Sequence, residues 1–211
     1  MVLPKRAIIF DFDGTLADTL PAIVAISNRL ATEFGYRQVQ EEDIETLRGQ
    51  RSREVLRTLR VPLFKVPTIA QRFKSELHKE IHLIVPFPSI RTVIEQLRHD
   101  YVLGIVTSNS VANVNRFLEV NELSYFSFVR SSVGLFRKSR VLNRVIRENQ
   151  LSKANTLYVG DEVRDVEAAR VCGIDSVAVA WGANTIDKLA QVQPRFIIRR
   201  PEELLTIIAN W

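Results

Sequence analysis

Two aspartates at spacing two, Asp11 and Asp13, follow the apolar run Ala7-Ile8-Ile9-Phe10 and precede Gly14-Thr15. In an extended chain residues i and i+2 point to the same side, so the two carboxylates stand together. Such a pair is unfavourable unless a cation neutralises it or one member keeps its proton. A hard divalent ion with oxygen ligands, Mg2+ being the usual one, answers that need. Gly14 opens backbone conformations closed to other residues and can leave amides facing an anion. A strand running into an ordinary Asp-Gly turn explains the same residues with no chemistry at all. Other stretches must decide.

The elements that would position these groups alternate in kind. Ala7–Phe10 reads as a fully apolar strand, suited to the centre of a parallel sheet covered on both faces. From Leu16 to about Val85 the periodicity is helical only. Asp18 or Thr19 can cap a first helix ending at Gly35, a weaker helix covers Glu41–Leu47, and Ser52 launches a third. Beyond Pro67 a longer amphipathic helix follows. From Pro86 helices alternate with strands at Tyr101–Val106, Phe128–Arg130, Thr156–Val159, Ser176–Ala180 and, at an edge, Arg195–Ile198. The predicted fold class is α/β: a doubly wound parallel sheet with right-handed crossovers and an α-helical insertion. The core takes residues 1–16 and 86–211, and the insertion residues 17–85.

Ligands of such sheets bind beyond the carboxyl ends of the strands. Asp11 and Asp13 end the first strand, Thr107-Ser108-Asn109 follow Val106, and Gly160-Asp161 follow Val159, with Asp165 four residues on and Lys138 in the loop before a helix over Val141–Glu148. Each alone has a plain explanation: a helix cap, an acidic first turn, a surface lysine. Their convergence at one rim, with the charges that phosphate and metal need, is harder to attribute to capping.

Composition narrows the setting. The longest apolar runs are far too short to span a bilayer, and the N-terminal stretch lacks the features of a signal peptide. A single cysteine, Cys172, allows no internal disulfide, which predicts a reducing, cytoplasmic compartment. A formal charge of +5 could suggest nucleic acid, but the basic residues are interspersed with 24 acidic ones and no aromatic-interleaved basic patch exists. Attraction of a small anionic substrate is a third reading of the charge; no nucleic-acid and no membrane partner is expected, and the choice between monomer and homodimer stays open.

Asp11-Phe12-Asp13-Gly14-Thr15-Leu16, Thr107 after an apolar strand, Lys138, and Gly160-Asp161-Glu162-Val163-Arg164-Asp165 together resemble the four ordered motifs of the haloacid dehalogenase superfamily. The resemblance covers essentially the whole chain. The helical insertion is similar to that superfamily's cap domain, and the nearest subgroup is phosphoglycolate phosphatase-like. What it implies is a Mg2+-dependent phosphatase that hydrolyses a small phosphate monoester through an aspartyl-phosphate. Asp11 would be the nucleophile and Asp13 the general acid and then base. Mg2+ would be held by Asp11, the backbone carbonyl of Asp13 and Asp161, with Asp165 in support and Glu162 a further candidate through water. Thr107 and Ser108 would donate to the phosphate, with Asn109 and the Gly14 turn on the substrate side, and Lys138 would neutralise charge. Halide-releasing relatives lack the second aspartate, so Asp13 favours phosphate chemistry. One departure is Ser139-Arg140-Val141 after Lys138, where the subgroup often has Lys-Pro-x-Pro, which weakens assignment to phosphoglycolate itself.

The cap of such enzymes reads the leaving group. Arg48 and Arg51, flanking Gly49, are the expected contacts to a carboxylate or second anionic group. Two other readings use the same residues. A phosphomutase would pass the same phosphoryl group to a sugar hydroxyl. A phospho-acceptor receiver domain also combines an acidic cluster, Thr and Lys, although the large insertion and an acidic motif placed after the lysine argue against it.

Overall fold

A computed structural model describes residues 6–50, 52–132, 138–209 and 211. The chain divides into two compact units, Met1–Asp18 with Val85–Trp211, and Thr19–Ile84. The first strand, β1 (Ala7–Phe10), is buried at every position, as a wholly apolar strand between two neighbours must be.

The helical unit follows with α1 (Leu20–Phe34), α2 (Ile44–Arg48), α3 (Ser52–Thr58) and α4 (Val66–Glu80). Pro21 lies in the first turn of α1, but the Thr19 hydroxyl makes no capping bond. At the other end Gly35 adopts φ 74° and donates its N–H to the Ala31 carbonyl, the left-handed stop that glycine allows. Val39, Leu59 and Val61 form the unit's core, with Val24, Tyr36, Leu56 and Ile69 packed against them. Ser52 begins α3 as its sequence position predicts, although its side chain lies outside the described residues.

The chain re-enters the α/β unit through α5 (Ile90–Leu97), β2 (Val102–Thr107), α6 (Val111–Val120) and β3 (Phe128–Ser131). It then forms α7 (Lys138–Glu148), β4 (Thr156–Gly160), α8 (Val163–Cys172), β5 (Asp175–Val179), α9 (Ile186–Gln191), β6 (Phe196–Ile198) and α10 (Glu203–Ala209). The six strands are parallel in the order β3-β2-β1-β4-β5-β6. The sheet is doubly wound: from β1 the chain builds outward first through β2 and β3, then through β4, β5 and β6. The winding reverses between β1 and β4, so the crevice beyond their carboxyl ends is where a ligand of this fold class binds.

Two boundaries differ from the sequence reading in ways that matter. Thr107 is the last residue of β2, paired with Ser131 of β3, because the Ser132 N–H and hydroxyl both bond the Thr107 carbonyl, at 2.7 and 3.0 Å. Lys138 opens α7 and does not lie in a loop before it. A helix fixes the direction of its side chains, so Lys138 is placed by α7 and not by a flexible approach.

Candidate active site

Alternation along the extended chain separates Phe12 from its acidic neighbours. Phe12 is fully buried and meets Phe117 of α6 edge-on, with centroids 5.0 Å apart. Asp11 continues β1, its N–H on the Val159 carbonyl at 2.8 Å, and its side chain is buried. Gly14 takes φ 75° and turns the chain back, so that Thr15 donates its hydroxyl to Asp161 Oδ1 at 2.9 Å. Oδ2 of Asp161 accepts the Ala183 N–H at 2.7 Å. Both glycines around this aspartate are required by space: a Cβ on Gly14 would lie 2.3 Å from Asp161 Oδ2, and one on Gly182 2.2 Å from the Asp161 Cβ.

Asp11, Asp161 and Asp165 are all buried, and each offers a carboxylate oxygen within 4.8 Å of the other two. Burial raises the Asp161 carboxyl well above its ordinary value, and the neighbouring charges of Asp165 and Asp11 add to the effect. Asp11 is likewise raised by burial, with Lys138 opposing and Asp165 reinforcing the rise. Lys138 Nζ lies 2.5 Å from Asp165 Oδ1 and 3.1 Å from Asp11 Oδ1. Burial works against the charge of this ammonium, but Asp11 and Asp165 more than offset that and hold its proton more tightly than an ordinary lysine does. Nζ also sits 5.6 Å from the centre of the Tyr158 ring, and the Tyr158 hydroxyl is tied to the Val106 carbonyl at 2.8 Å.

Among the described residues one ammonium lies against these three carboxylates, which leaves the cluster short of positive charge. Asp11 Oδ1 is within ion-pair range of Lys138 yet, among the described residues, accepts no well-aligned hydrogen bond. An orphaned carboxylate oxygen in an all-oxygen donor set is what a hard divalent cation fits. Asp165, like Asp161, has both oxygens engaged, because its Oδ2 also accepts the Glu162 N–H at 3.0 Å. That bond closes a capping box in which Glu162, not Asp161 or Asp165, is the N-cap of α8. The Glu162 carboxylate, a further candidate for the metal from sequence, pairs with Arg164 at 2.7 Å.

At the end of β2, Thr107 is buried and its Oγ1 accepts the Asn109 N–H at 3.0 Å, while Ser108 is exposed. Asn109 turns its amide to Asp13, with Nδ2 3.0 and 3.1 Å from the two carboxylate oxygens. Ser110 caps α6, accepting the Asn113 N–H at 3.1 Å. In the helical unit Arg48 pairs with Glu45 at 2.7 Å, and Arg51 lies outside the described residues.

A family profile described as haloacid dehalogenase-like hydrolase matches residues 8–179. The chain belongs to the haloacid dehalogenase-like hydrolases. It is 38% identical over 207 residues to the phosphoglycolate phosphatase of Synechococcus elongatus, covering 97% of this chain and 98% of that one. It is also 26% identical to a Listeria innocua pyrophosphatase, over 96% of each chain. Among solved structures, a haloacid dehalogenase-like family hydrolase from Streptococcus pneumoniae superposes with a TM-score of 0.86 at 25% identity, over 97% of this chain and 98% of that one.

This haloacid dehalogenase-like hydrolase is an enzyme of the phosphatase type, and among its described residues no helix is long and apolar enough to cross a membrane. Sequence reasoning missed the segment after β5. There Gly182 and Ala183 wall and bond Asp161, Asn184 Oδ1 accepts the Val163 N–H at 2.9 Å, and Trp181 Nε1 donates to the Thr15 carbonyl at 3.2 Å. Gly182-Ala183-Asn184 carries no acid or base, so only its tertiary neighbours reveal it.

Proposed function

We propose that this enzyme hydrolyses a small phosphate monoester with Mg2+, through an aspartyl-phosphate on Asp11, and that its substrate is of the phosphoglycolate kind. The observation that carries the reading is the buried Asp11 carboxylate, 3.1 Å from Lys138 Nζ and gathered with Asp161 and Asp165 around one unneutralised point. The full-length similarity to a phosphoglycolate phosphatase supports the substrate class.

In this reading an Asp11 oxygen attacks phosphorus, the new P–O bond forms, and the bond to the leaving oxygen breaks. Asp13 gives its proton to that oxygen. In the second half-reaction Asp13 takes a proton from water, the water oxygen attacks phosphorus, and the bond to Asp11 breaks, releasing phosphate and restoring both aspartates. Lys138 neutralises charge on Asp11 and the phosphoryl oxygens, Thr107 and the Ser108 amide donate to those oxygens, and the Gly14 turn leaves the backbone close to them. Asp11, the Asp13 carbonyl and Asp161 would hold Mg2+, with Asp165 behind them; bound there, the ion supplies neutralisation of the phosphoryl charge. Choice of the group beyond phosphate is given to Arg48 and Arg51.

The test is phosphate release from a panel holding phosphoglycolate, pyrophosphate, hexose phosphates and an aryl phosphate, with Mg2+ or with EDTA. The expected result is Mg2+-dependent release that is fastest with phosphoglycolate and abolished by Asp11→Asn. Full activity of Asp11→Asn would overturn the nucleophile, and isomerised hexose phosphate without phosphate release would point to a mutase. Arg48→Ala should raise KM for phosphoglycolate and leave that for the aryl phosphate unchanged.

A further inference from the structure

Asn109 is held at more points than a loop residue needs. Its N–H donates to Thr107 Oγ1 at 3.0 Å and its carbonyl accepts from Ser131 Oγ at 2.7 Å. Its side-chain Oδ1 accepts from the Ser110 N–H at 2.8 Å and from Nδ2 of Asn113 at 2.9 Å. A backbone N–H can only donate, so Ser110 determines which end of the amide carries oxygen. Nδ2 is thereby aimed at Asp13, nearly equidistant from its two carboxylate oxygens at 3.0 and 3.1 Å. Asn113 lies one turn further along, buried in α6, with its amide turned to Asn109.

We propose that Asn113 and Asn109 form a positioning relay for Asp13, in which Asn113 locks the Asn109 amide and that amide sets the place and plane of the carboxylate. The inference deepens the proposed function and rests on its reading of Asp13 as proton donor to the leaving oxygen. Neither asparagine touches reacting atoms; both act through Asp13. Asp13 is only half-buried, so packing alone leaves its carboxyl room to swing about its side-chain torsions. A donor bridging both oxygens opposes that motion. A general acid must stand within about 2.6–3.2 Å of the atom it protonates, and freedom to swing lowers the fraction of time it does so. The loss is felt only where the leaving group needs the proton.

That restriction supplies the test. kcat/KM, which reports the steps through formation of the Asp11 phosphate, is measured over substituted phenyl phosphates from phenyl to 2,4-dinitrophenyl. Asn109→Leu, near in shape, and Asn113→Ala are each expected to lower kcat/KM for phenyl phosphate about 10- to 100-fold, with under about threefold change for 2,4-dinitrophenyl phosphate. Folding is checked by circular dichroism and thermal melting. If Asn109→Leu does not fold, Asn113→Ala carries the test, since Ser110 still caps α6. A uniform loss across the series, or none from folded Asn113→Ala, overturns the relay. Asp13→Asn separates the two levels. If it gives the selective loss and the asparagine variants do not, only the relay falls; if it leaves phenyl phosphate turnover intact, the acid assignment falls and the relay with it.

Discussion

Gly182 lies so close to Asp161 that a Cβ added to it would fall 2.2 Å from the aspartate's Cβ and 2.4 Å from the Gly14 carbonyl oxygen. Neither neighbour is the free end of a flexible side chain, so the loop after β5 would have to move. Gly182→Ala is expected to cost about 1–3 kcal/mol in denaturant unfolding, as overpacking does. By displacing Ala183 from Asp161 it should also weaken Mg2+ binding about 10- to 100-fold in calorimetry.

The buried carboxylates make stability depend on pH with a definite sign. The folded-state value of Asp161 is raised well above the ordinary 3.8 by burial and by Asp165 and Asp11, so the folded state binds more protons than the unfolded one above that pH. Stability of the metal-free protein from this group therefore falls as pH rises above 3.8 toward the raised value. Asp161→Asn should raise the metal-free Tm at pH 8 and change it far less at pH 4. Thr15 can rotate its hydroxyl to accept from the new amide, and the Ala183 N–H keeps its oxygen. In melts with Mg2+ the wild type should gain Tm and the variant should lose most of that gain.

Lys138 serves two carboxylates from one position. Lys138→Met leaves Asp11 and Asp165 buried without their cation, and kcat is expected to fall about 10²- to 10³-fold, the scale of removing one charge-stabilising donor. Lys138→Arg should rescue little, because a planar fork does not fit where a compact ammonium sits between two oxygens. Steady-state kinetics on both variants checks this.

Asn28 joins α1 to the chain beyond it in the helical unit, its amide donating to the Val39 carbonyl at 2.9 Å and accepting the Val39 N–H at 2.8 Å. Asn28→Ala leaves both backbone groups unpaired and should cost about 1–3 kcal/mol in urea unfolding. Asn28→Asp, which keeps only the acceptor, should fall between the two.

Much of this was legible in the chain. The apolar run before Asp11 announced a central strand because only a strand covered on both faces is apolar at every position. Gly35 announced the end of α1 because its backbone conformation is closed to most residues. Thr107, Lys138, Asp161 and Asp165 were legible by type and order. Less so were boundaries set by distant partners: Thr107 joined β2 through Ser132, and Lys138 became the first residue of α7.

Asn109, expected on the substrate side, also has its amide on Asp13, because the Ser110 N–H sets which way it faces. Glu162, a candidate for the metal through water, also caps α8 and pairs with Arg164. The sequence by itself determined which charges meet and at which strand ends, since residue type and periodicity are local properties. Which oxygens are satisfied, which glycines must be glycine, and what holds Asp13 in place were decided only by the tertiary structure, because hydrogen-bond direction and close approach arise between segments far apart in the chain.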